Sequence, residues 1–264
     1  MGHRAQLSGS DILPGAMSET ARPQGRAGSR IGRLILAWLV HGFTASGAVV
    51  GALAILSVWS GAFDHAALLM ILALFIDSVD GTLARRVGVS EVLPTVDGRR
   101  LDDMVDYLNF VIVPVVFMAG VGALPGWGWV VPPILASAYG FSQADAKTED
   151  NFFLGWPSYW NVVALYCWLL EFEPATGAFW IAVCSVAIFV PLKYVYPSRV
   201  ERAFFRHSLN VGGGLWAGTL VVAILAPDWG ERFYLGEISL GYLVYYMVLS
   251  VWLGDWKSGW SSGD

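Results

Sequence analysis

Residues 66–85 read AALLMILALFIDSVDGTLAR, and residues 98–106 read GRRLDDMVD. Eleven apolar residues, Ala66 to Ile76, run without a break into Asp77, and Asp80 follows one helical turn later. The run is the body of a membrane-spanning helix over residues 65–85. In hydrocarbon a single segment satisfies its backbone polar groups only as a helix. A carboxylate at such a place is costly to desolvate, so an acid there marks function by default. Asp77 and Asp80 are three apart, and Asp102 and Asp106 are four apart, so on helices each pair shares one face. Gly81 and Ala84 continue the first face and Asn109 the second. Consecutive helices joined by a short segment are expected neighbours, so the two acidic faces can converge.

The composition agrees with a membrane protein. Of 264 residues, 56% are hydrophobic and only 14% are charged, where a soluble domain carries about a quarter. The fold class is therefore all-α, a polytopic integral membrane protein with about eight transmembrane helices. Apolar runs place them at 34–58, 65–85, 103–123, 127–143, 153–170, 177–193, 208–226 and 236–254. Residues 1–30, rich in Gly, Arg, Ser and Pro, read as a disordered cytoplasmic tail. Residues 31–257 form the membrane domain, and 258–264 a short cytoplasmic tail. With both termini cytoplasmic, 15 of the 16 Lys and Arg fall on the cytoplasmic side and only Arg232 falls outside. Asp77, Asp80, Asp102 and Asp106 then sit at the cytoplasmic ends of the second and third spans. Cys167 and Cys184 lie within apolar runs and read as small buried hydrophobes.

Four clustered carboxylates repel one another, and two divalent cations balance their charge. Oxygen-only ligands favour Mg²⁺ or Mn²⁺ over zinc. Such a pair of ions grips a pyrophosphate and stabilises a leaving oxygen, with Arg85 and Arg86 near enough to assist. A cation or proton pathway in a transporter also uses intramembrane acids and remains the alternative from another class.

The eight fixed positions Asp77, Asp80, Gly81, Ala84, Arg85, Gly98, Asp102 and Asp106 resemble the signature of the CDP-alcohol phosphotransferases, D-x2-D-G-x2-A-R followed by G-x3-D-x3-D. The twelve residues between, Arg86 to Asp97, resemble the bacterial phosphatidylcholine synthase branch. So do His41-Gly-Phe-Thr44-Ala-Ser46-Gly47, Glu91-Val-Leu-Pro94, Lys147-Thr-Glu149-Asp150-Asn151 and Trp156-Pro-Ser-Tyr159-Trp160-Asn161. The later Pro197-Ser-Arg199-Val-Glu201-Arg202 fits as well, and the likeness extends over residues 34–255. It implies transfer of the phosphatidyl group from CDP-diacylglycerol to choline, with release of CMP and dependence on Mn²⁺ or Mg²⁺. Asp77, Asp80 and Asp102 are then metal ligands, and Asp106 completes the cluster and takes the choline hydroxyl proton. Gly81, Ala84, Arg85 and Gly98, with Thr44 on the first span, are expected to line the CDP-lipid site. His41 stands where many relatives carry Asn. The resemblance also implies a homodimer in the bacterial inner membrane, in contact with membrane lipid and with no nucleic-acid partner. Within the family the alternatives are other alcohols: serine, inositol phosphate or glycerol phosphate.

A quaternary ammonium cannot donate hydrogen bonds, so aromatic faces and nearby carboxylates must hold it. On the cytoplasmic side the candidates are Tyr107, Trp156, Tyr159 and Trp160, with Glu149 or Asp150 supplying charge. Against them stands the ordinary use of Trp and Tyr as interfacial belt residues.

Overall fold

The computed structural model describes residues 25–143, 148 and 150–254. Lys147, Glu149, Lys257 and both expected terminal tails, apart from 25–30, lie outside the described residues. The chain folds as α1 (Gly25–Trp59), α2 (Phe63–Val87), α3 (Val89–Val92), α4 (Gly98–Tyr107), a π-helical turn (Leu108–Ile112) and α5 (Val113–Gly120). After a 3₁₀ turn at Trp127–Val130 come α6 (Val131–Ser142), β1 (Phe152–Leu154), α7 (Trp160–Leu169), α8 (Pro174–Ile188) and β2 (Lys193–Val195). A 3₁₀ turn at Pro197–Arg199 leads into α9 (Ala203–Leu225), α10 (Pro227–Arg232) and α11 (Leu235–Leu253). The first helix starts at Gly25, inside the stretch expected to be a tail.

All eight expected apolar segments contain a helix, but the spans are not alike. Among the described residues, five helical segments are long and apolar enough to cross a membrane: 30–59, 63–87, 98–120, 203–225 and 235–253. α6, α7 and α8 have 12, 10 and 15 residues. Ten helical residues rise about 15 Å, half of a hydrocarbon core of about 30 Å. The correction has a local cause. Residues 153–159 were expected to be helical, yet Gly155 takes φ 80° and Pro157 follows, so this stretch is extended. Pro191 stops α8 in the same way. The freed backbone groups bond to one another: β1 pairs antiparallel with β2, Gly155 N–H donates to Leu192 O at 2.9 Å, and Trp156 N–H to Ala187 O at 3.1 Å. A side chain at position 155 would overlap the carbonyl of Ile188, so glycine is required there.

The third span, α4 through α5, lies at the centre. Val111, Val113, Val115, Phe117 and Met118 are all buried, against Ala66, Met70 and Ile71 of α2 and Ala164 and Leu165 of α7. Outward-facing apolar side chains, such as Ile35, Leu39 and Leu53 on α1 or Val244 and Val248 on α11, are exposed, as a lipid-facing surface requires. Local signals set the helix ends nearest the acidic residues. Gly88, at φ 69°, stops α2 and returns its N–H to Ala84 O. Asp97 starts α4 by accepting from Arg100 N–H at 3.1 Å. The π turn follows from Pro114. Its ring has no N–H for the carbonyl of Phe110 and would clash with it, so the helix widens and Val113 N–H bonds back to Leu108 O instead.

Candidate active site

The α2 and α4 helices bring Asp77, Asp102 and Asp106 together. Each offers a carboxylate oxygen, and these atoms lie within 4.8 Å of one another with the side chains half-buried. At an effective dielectric of about 20, two full charges at that separation repel by about 3 kcal/mol. Three hard oxygen donors in that space are a donor set for Mg²⁺ or Mn²⁺ rather than a softer metal. The residues therefore fit the divalent ion expected from the sequence.

Asp80 is placed differently from the other three. It is 5% exposed, it lies outside that mutual-distance group, and its carboxylate takes hydrogen bonds from the Thr44 hydroxyl of α1 and from Gly81 N–H, with the Arg85 charge nearby. Thr44, expected beside the CDP-lipid, thus anchors Asp80 from the first span.

The glycines and alanine of the pattern have visible structural tasks. At Gly81 an added Cβ would come within 3.2 Å of the Arg85 guanidinium, which folds back along α2 to donate to Thr82 Oγ1 at 3.1 Å. At Gly98 it would come within 3.0 Å of the His41 ring, so the start of α4 rests against α1 through His41. Ala84 packs into the small cluster of Ala37, Val40, Val89 and Leu93, where a longer side chain would push α1 away.

The residues expected around choline are brought together only in part. Trp156 and Trp160 meet edge to face, ring centroids 4.6 Å apart. Trp160 is fully buried and donates its indole N–H to Ser137 Oγ at 2.8 Å. Tyr107 donates its hydroxyl to Ile134 O at 2.9 Å. Tyr159 stands edge-on to Tyr246, ring centroids 6.0 Å apart, on the side of the site where Asp77 lies. Asp150 forms an ion pair with Lys193 at 2.6 Å. Partial burial works against the Asp150 charge, but the Lys193 contact prevails and holds its carboxyl below the usual range. Glu149 lies outside the described residues. Sequence reasoning missed Tyr246, which sits in a lone apolar helix far along the chain and carries no local signal of its place.

The geometry can be set beside known proteins. The family model for CDP-alcohol phosphatidyltransferases matches residues 41–191, from His41 on α1 to just beyond α8. The chain belongs to the CDP-alcohol phosphatidyltransferase family. The phosphatidylcholine synthase of Legionella pneumophila is 39% identical over 226 residues, covering 81% of this chain and 87% of its own length. That of Legionella bozemanae is 42% identical over 218 residues, covering 77% and 97%. That of Borreliella burgdorferi is 40% identical over 172 residues, covering 64% and 73%. These alignments extend beyond the short acidic pattern to most of the CDP-alcohol phosphatidyltransferase fold.

Proposed function

We propose that this protein transfers the phosphatidyl group of CDP-diacylglycerol to choline, forming phosphatidylcholine and releasing CMP. The observation that carries the reading is the convergence of Asp77, Asp102 and Asp106 in a chain that is 39–42% identical to the three phosphatidylcholine synthases named above. In the reaction a bond forms between the choline oxygen and the phosphorus that bears the diacylglycerol. The bond from that phosphorus to the CMP oxygen breaks, and CMP leaves with the electron pair. The hydroxyl proton passes to the Asp106 carboxylate, because a choline hydroxyl is a weak nucleophile near neutral pH.

Asp77, Asp80, Asp102 and Asp106 are proposed to hold two Mn²⁺ or Mg²⁺ ions. When bound, the ions supply charge neutralisation for the pyrophosphate and the departing phosphate. Thr44 holds Asp80 from α1, which supports a role for Asp80 at the edge of the ion site. Arg85, exposed beside Asp80, is placed to meet phosphate; Gly81 leaves room for its guanidinium, Ala84 lets α2 approach α1, and Gly98 lets the start of α4 rest on α1. Choline is proposed to approach from the Tyr159 and Trp156 side, where the Asp77 charge is felt. Tyr107, Trp160 and Asp150 are proposed to border the same region.

Eight crossings with both termini cytoplasmic in a bacterial inner membrane are part of the same proposal. They are supported by the placement of 15 of the 16 basic residues on one side. The three short helices are proposed to cross with help from the paired extended segments, whose backbone groups bond to one another. A homodimer is likewise proposed, to be read from the mass of the solubilised protein.

The test is incubation of purified protein with CDP-diacylglycerol, Mn²⁺ and a panel of alcohols, reading CMP release. CMP should form with choline. Release with serine, inositol phosphate or glycerol phosphate in its place would move the protein to another branch of the family. Cation flux without CMP release would end the enzymatic reading.

A further inference from the structure

We infer that Asn109 is a positioning residue for the acidic site. Its carboxamide ties the π turn of the third span to α1 and so fixes the face on which α4 presents Asp102 and Asp106 to Asp77. The inference rests on the reading of those carboxylates as a metal-holding group.

Asn109 lies within the π turn, three residues after Asp106, and is only 5% exposed. Its Nδ2 donates to Gly47 O of α1 at 3.0 Å. Its Oδ1 is buried without a hydrogen-bond donor and rests over Gly51, where an added Cβ would overlap it. At Gly47 an added Cβ would approach Val105 Cγ1 to 2.8 Å and Asn109 Nδ2 to 3.4 Å. Two glycines four residues apart on one face of α1 therefore form a slot that takes this carboxamide. A buried amide oxygen without a donor is costly, and an apolar side chain would fill the slot without that cost. The amide is therefore held there for something other than packing.

A π turn holds its place weakly, since it can move one residue along a helix by exchanging one hydrogen bond for another. Pro114 forces a widening nearby but does not say where it must stop on the cytoplasmic side. A turn displaced past Asp106 would rotate that carboxylate by about 100° relative to the buried face of α5. Asn109, bonded to a different helix from within the turn, prevents this displacement.

The test uses Asn109→Leu, which keeps the branched outline and the number of heavy atoms while removing the amide, and Gly51→Ala, which presses on the amide and on the neighbouring Leu108 from a helix that carries none of the acids. Mn²⁺ binding is titrated by electron paramagnetic resonance of the free ion, without turnover, in detergent-purified protein. The kcat, the KM for CDP-diacylglycerol and the melting temperature are measured alongside. The control is Gly120→Ala, which overlaps Val58 and so crowds α1 against α5 away from the acidic residues. Mn²⁺ affinity should fall tenfold or more in Asn109→Leu and Gly51→Ala, with kcat falling more than KM rises. Gly120→Ala should lower the melting temperature and leave Mn²⁺ affinity at the wild-type level. The double variant Gly51→Ala with Asn109→Ala should bind Mn²⁺ no more weakly than Asn109→Ala if Gly51→Ala acts through the amide; a further loss would show that it acts through Leu108 and overturn that coupling.

Wild-type Mn²⁺ affinity in Asn109→Leu overturns the inference, as does an equal loss in Gly120→Ala. If Asn109→Leu does not fold, Gly51→Ala and its control decide. A wild-type protein that binds no Mn²⁺ removes the metal reading and this inference with it.

Discussion

Asp77 on α2 and Asp106 on α4 bring carboxylate oxygens within 4.8 Å of each other across the intervening loop and α3. The two groups share one small space but are assigned different tasks. Asp106→Asn should lower kcat by about a hundred- to ten-thousand-fold, the usual scale of general-base catalysis, while CDP-diacylglycerol still binds. Turnover close to wild type in that variant would remove Asp106 as the base. Asp77→Asn should weaken Mn²⁺ binding as well as turnover.

Excess chelator should stop CMP release, and added Mn²⁺ or Mg²⁺ should restore it. The reason is the mutual repulsion of Asp77, Asp102 and Asp106, which a divalent ion offsets. Activity that survives exhaustive chelation would count against the mechanism as a whole.

Tyr246 of α11 stands edge-on to Tyr159, one of the aromatic residues proposed to meet choline. As a hypothesis from this geometry, Tyr246→Ala should raise the KM for choline about tenfold through loss of cation–π support around Tyr159. Tyr246→Phe keeps the ring but loses the hydrogen bond to Val195 O at 3.0 Å and the hydroxyl contact with Tyr159, and should cost about 1 kcal/mol or more of stability with a smaller rise in choline KM than Tyr246→Ala. An unchanged choline KM in Tyr246→Ala would exclude the aromatic pair from the choline site.

Gly155→Ala should be among the most destabilising single changes in the loop region, by about 2 kcal/mol or more. The residue holds φ 80°, and a side chain would strike the Ile188 carbonyl. Thermal unfolding in detergent reads the effect; a melting temperature equal to wild type would refute the required backbone geometry.

Asp150 has its carboxyl held below the usual range, since the bond to Lys193 outweighs partial burial. Its stabilising contribution is thus present above the unfolded carboxylate pKa and is lost as pH falls through the still lower folded value. Both groups are well exposed, so solvent screening keeps the pair to at most about 1 kcal/mol. Asp150→Asn should therefore leave the acid limb of the activity profile above pH 5 where it is in wild type. A shifted limb would show that Asp150 acts on the reaction rather than on the loop.

Much of the site was legible before the fold. Helical spacing put Asp77 with Asp80 and Asp102 with Asp106, and the structure keeps each pair on its own helix. The spacing could not say that Asp80 turns to Thr44 on α1 while the other three converge, because that choice depends on where α1 passes. The eight apolar segments were equally readable, but their lengths as helices were not. Hydropathy does not register the tertiary pairing of residues 152–154 with 193–195, which lets both stretches leave the helix without stranding backbone groups.

By itself the sequence determined that this is an all-helical membrane protein of the CDP-alcohol phosphatidyltransferase family, with a carboxylate cluster at the ends of its second and third spans. Those properties follow from local periodicity, from desolvation cost and from a pattern of eight residues within thirty positions of one another. Only the tertiary structure decided which acids meet, how Asn109 locks the third span to α1, and that Tyr246 stands beside Tyr159. Contacts between helices far apart in the chain are set by how small residues such as Gly47 and Gly51 let backbones approach, and no single segment records its partner's position.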